Sequence, residues 1–304
     1  MSFESELRKK LLESVSESTA DLYIKNLRKL NGNESLANLN FLRGVKEVVD
    51  TISSYKLSTK ATIIAGILKI MPLMGMSDKR LYKKPYQMYK AMHEEMSKER
   101  KVQNSSGVKS EAQEKNWIAW DEVNSIHQKL AQRVAKFAGK AKLDVHEYNV
   151  LLEYLVLSLY VLLPPRRNMD YSFMKVSSSK DDDGFDANYY REKDGMFVFN
   201  KYKTAKKHGQ ESIEVPGPLK EIISTYLRFK PESEWFLVDY TGKPLQQVNS
   251  ITRILNKVFG KKVGASMLRH IFITEKLGDK YKELEETAKD MGHSMGQQKD
   301  YIKN

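Results

Sequence analysis

The sequence predicts a mainly α-helical protein with a small antiparallel β-sheet, an α+β arrangement in which helices dominate. Three observations lead to this fold class. Apolar residues recur at helical spacing near the start of the chain, as in residues 22–30. The segment 147–163 is apolar on almost all faces, which is typical of a buried helix. Strand-type residues at 196–199 and 212–215 flank a lysine-rich turn and predict a β-hairpin.

Composition restricts the classes of function. The chain has 304 residues, which suggests about two domains. Its formal charge of +12 favours a polyanionic partner, because lysines and arginines that neutralise phosphates release counterions. The absence of cysteine excludes disulfides, thiol catalysis and cysteine zinc sites. No apolar run is long enough to span a bilayer and the first residues are too polar for a secretory signal, so we expect a soluble, intracellular protein with no membrane partner.

We expect a helical first domain over residues 1–105, a linker over 106–116 and a second domain over 117–304. Apolar residues at helical spacing mark the helical regions of the first domain, at 1–30, 45–52, 58–72 and 77–100. Residues 98–116 are polar, contain Ser and Gly and lack periodicity, which is typical of a linker. The first domain fits a generic helical bundle as well as a DNA-binding module.

The second domain combines the buried helix with strands and further helices. Pro164 and Pro165 end the buried helix, and Arg166 and Arg167 follow at once. Arginine is almost never buried unless paired, so these two are either surface residues or part of a binding site. Lysines at the tip of the hairpin are also common in turns that are merely solvated. The remaining expected elements are helices at 219–229 and 248–259 and a short strand at 235–238.

The C-terminal part of the chain contains residue types that can grip and attack a phosphodiester. Arg269 and His270 lie in an amphipathic helical segment that we expect to begin near the capping-type residue Ser266. An acidic helical spacer follows, then a Gly-His-Ser sequence around His293 and finally Tyr301. Arginine, histidine and tyrosine in this order can bind a phosphate and supply a nucleophile.

Five short motifs follow one another in the second domain. They are Arg167-Asn168-Met169-Asp170 after the buried helix, Lys203-Thr204 in the hairpin, Ser266-Met267-Leu268-Arg269-His270, Met291-Gly292-His293-Ser294 and finally Tyr301. Each is weak alone, but their order and setting over residues 115–304 resemble the tyrosine recombinases, the family of phage lambda integrase. The resemblance implies a helical core-binding domain followed by a catalytic domain that cleaves and rejoins DNA through a 3′-phosphotyrosyl intermediate.

The resemblance also implies a role for each catalytic residue. Tyr301 would be the nucleophile. Arg167 and Arg269 would bind the non-bridging phosphate oxygens, whose geometry suits a planar guanidinium better than an ammonium. Lys203 would protonate the leaving 5′-oxygen, and Lys206 is the other candidate for this general acid. The chemistry implied needs no metal, nucleotide or other cofactor.

The match to the family pattern departs at several positions. His293 would hold the phosphate or assist the tyrosine, but its interval to Tyr301 is one residue shorter than the family commonly shows. Asp170 stands where the family usually has glutamate, and Ser266 stands where it usually has histidine. We expect His270 to be a packed, hydrogen-bonded histidine rather than a catalytic one.

Double-stranded DNA is the partner that the resemblance implies. The family works as a tetramer on two DNA sites, so we expect a homotetramer on DNA, and the family's habits favour an integrase of a virus or mobile element. Contacts to the DNA backbone position a protein without specifying sequence. Arg166 is a further candidate for a phosphate contact, and the basic residues expected to make such contacts are Lys201, Lys206, Lys207, Arg253, Lys257, Lys261 and Lys262.

Two other functions compete with the recombinase. A type IB topoisomerase shares the phosphotyrosyl chemistry, although the short interval between His293 and Tyr301 and the small helical first domain favour the recombinase. A DNA-binding protein that kept the fold and lost activity is the second alternative. Ser266 is the residue that favours it, whereas the complete set of catalytic residue types argues against it.

Overall fold

The computed structural model of the chain describes residues 2–178, 184–247, 249–298 and 301. By its internal contacts the chain divides into two compact units, Met1–Val108 and Lys109–Asn304. The predicted fold class is confirmed, because helices dominate the described residues and the second unit carries a small four-stranded sheet.

The first unit is helical throughout its described part. Its α-helices α1 to α5 span Phe3–Leu12, Glu17–Leu30, Val45–Ile52, Leu57–Leu73 and Arg80–Ser105, with a 3-10 turn at Asn40–Arg43. Ser16 caps α2, since its hydroxyl accepts a hydrogen bond from the backbone N–H of Thr19 at 3.4 Å. Apolar side chains from all of these helices form one core.

The segment predicted as a linker is partly helical. The helix α5 continues to Ser105, beyond its expected end, and a further helix α6 spans Glu111–Asn116. A capping box starts α6: the Ser110 hydroxyl accepts from the Gln113 N–H at 3.3 Å, and the Gln113 carbonyl oxygen accepts from the Ser110 N–H at 2.8 Å. The Ser-x-x-Gln spacing indicates the start of this helix, whereas the polar composition around it is typical of a linker.

Several helices of the second unit pack around one buried helix. Its helices are α6, α7 (Trp120–Ala135), α8 (Val145–Val161), α9 (Asn168–Ser172), α10 (Ala205–His208), α11 (Gly217–Phe229), α12 (Ser250–Phe259), α13 (Ala265–Phe272), α14 (Gly278–Asp290) and α15 (Met295–Gln298). A π-helical turn at Ile273–Leu277 joins α13 to α14. The helix α8 is the predicted buried helix, and it contacts α7, α11 and α12.

The sheet confirms the predicted hairpin and corrects its surroundings. Strands β3 (Met196–Phe199) and β4 (Glu211–Glu214) pair antiparallel, with Phe199 opposite Glu211. Strand β2 (Asn188–Arg191) pairs antiparallel with β3 but parallel with β1 (Met174–Ser177), so the sheet is mixed rather than antiparallel. Trp235 and Val238 each form an isolated bridge, where a short strand was expected. The expected start of α12 at residue 248 lies outside the described residues.

Candidate active site

The turn that carries Arg167 is fixed from two sides. The two prolines prevent α8 from continuing, and the chain turns into the short helix α9, for which Arg167 is the N-terminal capping residue. Asn168 holds this turn in place. Its side-chain oxygen accepts from the Tyr160 hydroxyl at 2.8 Å, and its amide donates to the Thr252 hydroxyl at 2.8 Å. The turn is therefore tied to both α8 and α12.

The two neighbouring arginines have different surroundings. Arg166 is paired with Asp170 at 3.0 Å and with Glu211 at 2.9 Å, and its guanidinium lies 3.9 Å from the centre of the Phe199 ring. Its side chain is only 17% exposed, so Arg166 braces the turn against strand β4 and is neither a surface residue nor a free phosphate contact. Arg167 makes no side-chain hydrogen bond or ion pair with any described residue.

Arg269 lies on the same cleft as Arg167. Arg269, on α13, likewise has no side-chain hydrogen bond or ion pair within the described residues, and it is half-buried. The cleft has a volume of about 320 Å³. We call it the arginine cleft, and it is lined by Leu163, Pro164, Pro165, Arg166, Arg167, Asp170, Tyr202, Thr204, Glu211, Ile213 and Arg269. Two arginines from distant parts of the sequence, each without an ion-pair partner in the described part of the chain, thus line one space.

Asp170, the carboxylate of the first motif, is one of the residues that line the cleft. It is buried, and its Oδ2 pairs with Arg166 while its Oδ1 has no hydrogen-bond partner among the described residues. Burial raises the pKa of this carboxyl, and the positive charges of Arg166 and Arg167 counteract part of that rise. The Asp170 side chain is therefore a buried support for the arginine turn and does not face solvent.

A segment that carries four lysines borders the cleft. We call residues 201–207, which include the start of α10, the lysine loop. Lys203 lies between Tyr202 and Thr204, which line the cleft, and its own side chain is exposed. The other three, Lys201, Lys206 and Lys207, are also exposed, and none of the four forms an ion pair within the described part of the chain.

The root of this lysine loop is held by a residue that the sequence analysis did not single out. Asn188 on β2 is buried, and it donates to the carbonyls of Asp170 and Lys201 at 2.8 and 3.0 Å. Its oxygen accepts from the N–H groups of Asn200 and Lys201 at 2.8 and 2.7 Å. All four hydrogen-bonding positions of the amide are used, which joins the start of the lysine loop to the arginine turn. No local motif marks an asparagine for such a role.

His293 and Tyr301 are brought together, although the sequence between them is short. Their rings stack at a centroid distance of 5.3 Å and an interplanar angle of 19°. The His293 Nδ1 lies 3.3 Å from the carbonyl oxygen of Ser294, while its Nε2 is buried without a hydrogen-bond partner among the described residues. The Tyr301 side chain is 68% exposed.

Neither His293 nor Tyr301 lines the arginine cleft. Both belong to a segment that begins within the π-helical turn, which we call the C-terminal arm and define as the described residues of 276–301. Ala288 is its one buried residue among those described. Its larger apolar side chains, at Leu277, Tyr281, Leu284 and Met291, are between 41% and 62% exposed. The structure therefore groups the predicted site residues into two sets, the arginines with the lysine loop and the histidine with the tyrosine.

Several secondary expectations need correction. Gly264, not Ser266, caps α13, and Ser266 lies exposed in its first turn. His270 is exposed and has no side-chain hydrogen bond within the described residues, so it is not the packed histidine expected. Helical phase turns it away from the buried face that Leu268 and Ile271 occupy.

The predicted DNA contacts on α12 and the following loop divide into two groups. Lys257 is paired at 2.6 Å with Glu153, a buried carboxylate of α8, so it neutralises a buried charge in addition to facing solvent. Lys261 has its ammonium 3.5 Å from the Trp117 carbonyl. Arg253 and Lys262 are exposed, and neither forms an ion pair within the described residues.

Metal ligands, membrane spans and known relatives add little to this geometry. The described residues hold no cluster of three or more His, Asp or Glu side chains that could bind a metal ion. In the part of the chain that is described, every helix is too short or too polar to cross a membrane. No protein-family model matches the chain, and no match was found among curated proteins or solved structures.

Proposed function

We propose that this protein is a site-specific DNA recombinase or integrase that cleaves and rejoins DNA with Tyr301 as its nucleophile. The observation that carries the proposal is that one cleft is lined by Arg167 and Arg269, two arginines without an ion-pair partner among the described residues. Unpaired arginines that share a partly buried site are unusual, because a guanidinium in such a place is normally neutralised by a carboxylate. An anionic group with several oxygens supplies the missing partner.

A phosphodiester fits this cleft better than a single carboxylate does. Each guanidinium can donate two parallel hydrogen bonds to a pair of non-bridging oxygens, and two guanidiniums can hold both oxygens from different sides. Negative charge builds on these oxygens when a nucleophile attacks the phosphorus, so donors fixed at that place stabilise the transition state. Arg166, Asp170 and Asn168 keep the Arg167 turn in position before the substrate arrives.

The reaction balances without a co-reactant. The Tyr301 oxygen forms a bond to phosphorus as the bond from phosphorus to the 5′-oxygen breaks, so one phosphoester replaces another. The phenol proton leaves to solvent, because the side chain is 68% exposed. The 5′-oxygen takes a proton from Lys203, whose loop borders the cleft through Tyr202 and Thr204. Attack by a 5′-hydroxyl on the phosphotyrosine reverses the step and rejoins DNA.

His293 supports the nucleophile in this proposal. Its ring lies against the Tyr301 ring, and it would contact the phosphate or assist the tyrosine. The lysines of the loop, together with Arg253 and Lys262, would contact the DNA backbone. Exchange of strands between two duplexes needs four tyrosines, so we propose a tetramer of this chain on paired DNA sites.

Covalent capture tests the proposal and identifies the target sequence in the same experiment. The protein is incubated with a pool of nicked duplexes of random sequence in EDTA, denatured, and the attached DNA is sequenced. We expect a covalent adduct enriched for one sequence, and strand exchange between two duplexes that carry it. Relaxation of supercoiled DNA without exchange would favour a type IB topoisomerase. Binding of DNA with no adduct would contradict the proposal and favour an inactive binding protein.

A further inference from the structure

The C-terminal arm is attached to the rest of the second unit through very few polar contacts. Every side-chain hydrogen bond and ion pair of the described residues 276–298 stays within that stretch, such as the Thr287 hydroxyl with the Glu283 carbonyl and Lys282 with Asp279. Among the described residues from 273 onward, Glu275 in the π-helical turn is the exception, because its side chain accepts hydrogen bonds from a segment outside this part of the chain. Among the described residues, Glu275 is therefore the polar side-chain link between this end of the chain and the rest of the second unit.

Glu275 is held by two donors from one distant segment. Its Oε1 accepts from the indole N–H of Trp117 at 2.9 Å, and its Oε2 accepts from the backbone N–H of Trp120 at 2.6 Å. Trp120 is the first residue of α7, where backbone N–H groups lack helical partners and the helix dipole favours negative charge. A carboxylate is thus suited to this place, and both of its oxygens are engaged.

The segment that supplies these donors is itself fixed. The Lys109 ammonium lies 4.0 Å from the centre of the Trp117 ring, which is a cation–π arrangement. The backbone N–H of Lys262 donates to the Asn116 side chain at 2.9 Å. The Trp120 ring meets the Phe272 ring edge-on at 5.2 Å. The segment of Trp117 and Trp120, which binds Glu275, is therefore held in place by its own contacts.

We propose that Glu275 is the positioning residue of the C-terminal arm: held by Trp117 and the first turn of α7, it sets the direction in which the arm presents His293 and Tyr301. The π-helical turn is the place where such control has most effect. Its wider ring of hydrogen bonds departs from α-helical geometry, and such turns are frequent at functional sites. Loss of the Glu275 contacts frees the arm at this turn without touching the arginine cleft. The consequence for catalysis rests on the proposed role of Tyr301, whereas the mechanical role of Glu275 does not.

Limited trypsin digestion tests the mechanical role independently of DNA. The arm offers exposed cleavage sites at Lys276, Lys280, Lys282 and Lys289. Glu275→Ala loses both hydrogen bonds. We expect cleavage in the arm to become faster by at least on the order of 10-fold, which is the change in an opening equilibrium for the loss of a single charge-assisted hydrogen bond. Trp117→Phe, which removes the indole donor, should accelerate the same cleavages. Glu285→Ala is the matched control, because Glu285 is exposed on the same arm and makes no side-chain hydrogen bond or ion pair with other described residues.

Two outcomes of the digestion would overturn the role of Glu275. One is cleavage of Glu275→Ala at the wild-type rate, which would mean that the arm is held by other contacts. The other is faster cleavage throughout the second unit, which would mean a general loss of stability. The amides of α14 provide a second measurement: their hydrogen exchange should accelerate in Glu275→Ala and stay unchanged in Glu285→Ala.

Covalent capture then tests the catalytic consequence. With DNA affinity unchanged, adduct formation by Glu275→Ala should be up to about 10²-fold slower, the effect of an ångström-scale misplacement of a reacting group. Glu275→Gln keeps one acceptor oxygen and should fall between the variant and wild type. Normal adduct formation by Glu275→Ala with an accelerated arm cleavage would overturn the catalytic consequence. If wild type forms no adduct, the proposed function fails and the digestion still decides the role of Glu275.

Discussion

The arginine cleft and the C-terminal arm differ in how firmly the segments that carry their functional side chains are held. In the cleft, Arg166 is paired twice, Asn168 is hydrogen-bonded on both sides, and Asn188 uses all four hydrogen-bonding positions. In the arm, Tyr301 is 68% exposed, and Ala288 is the one buried residue of those described.

This difference fits a division of labour within the proposed chemistry. Groups that stabilise a transition state act best when they are fixed before the substrate arrives, because no reorganisation is then needed during the reaction. A nucleophile that becomes covalently attached to DNA has to approach the phosphorus and later leave it. Elements that move in function are drawn from the least stable parts of a structure, and the sparse burial of the arm places it there.

The largest effects should come from the cleft arginines. Arg167→Ala and Arg269→Ala should each slow adduct formation by about 10²–10³-fold, as loss of a fixed oxyanion donor does. Because neither side chain has an ion-pair partner among the described residues, the melting temperatures of both variants should stay close to that of wild type. Arg133→Ala, an exposed arginine on α7, is the control. Equal losses in Arg133→Ala and Arg167→Ala, measured by single-turnover capture, would contradict the distinct role of the cleft.

The lysine loop should separate two candidates for the general acid. Lys203→Ala should slow adduct formation by about 10²-fold, the lower range for general acid catalysis, and Lys206→Ala should change it little. A substrate with sulfur in place of the scissile 5′-oxygen leaves as a thiolate and needs no proton, so it should restore the rate of Lys203→Ala. Restoration of Lys206→Ala instead would transfer the role to Lys206.

Stability should depend on Arg166 more than on Arg167, the reverse of the order of importance proposed for catalysis. Arg166→Ala removes the partner of a buried carboxylate and should lower the free energy of unfolding by about 3 kcal/mol, whereas Arg167→Ala should change it by less than about 0.5 kcal/mol. Chemical denaturation of both variants gives the comparison. Similar losses in the two would mean that Arg167 also supports the fold.

The smallest effect concerns pH and distinguishes the buried body from the arm. His127 lies in the body, where its ring contacts the Ser158 hydroxyl at 2.8 Å, and burial lowers its pKa from the ordinary 6.5. The unfolded chain therefore binds more protons than the folded one below this pH, so stability is present above pH 6.5 and declines as the pH falls below it. Melting temperatures between pH 7.5 and 5 should fall less steeply in His127→Gln. An unchanged slope would contradict the contribution of His127.

The sequence predicted the fold class and the buried helix because apolar periodicity is a local property. It also predicted the hairpin, since strand-type residues and a polar turn lie within one short stretch. It did not predict the parallel pairing of β1 with β2, because the partner strands are separated by a connection without a local signal. The motif spacing selected Arg167 over Arg166, but it did not predict that Arg166 is paired, since Glu211, which engages Arg166, follows much later in the chain.

The candidate site was predictable as a set of residues but not as an arrangement. Glu275 belongs to an acidic stretch with Glu283, Glu285 and Glu286, and spacing alone does not distinguish it from them. Its role depends on Trp117, far away in the sequence. Asn188 is a similar case, because four hydrogen bonds converge on it from two other segments.

Identification of the residue that becomes attached to DNA tests the central claim most directly. The captured adduct is digested with protease, and the peptide that retains a nucleotide is sequenced by mass spectrometry, for wild type, Tyr301→Phe and Tyr281→Phe. Tyr281 is the matched control because it is 62% exposed on the same arm. We expect attachment at Tyr301, no adduct in Tyr301→Phe and a normal adduct in Tyr281→Phe. An adduct that persists in Tyr301→Phe would contradict the assignment and place the nucleophile elsewhere.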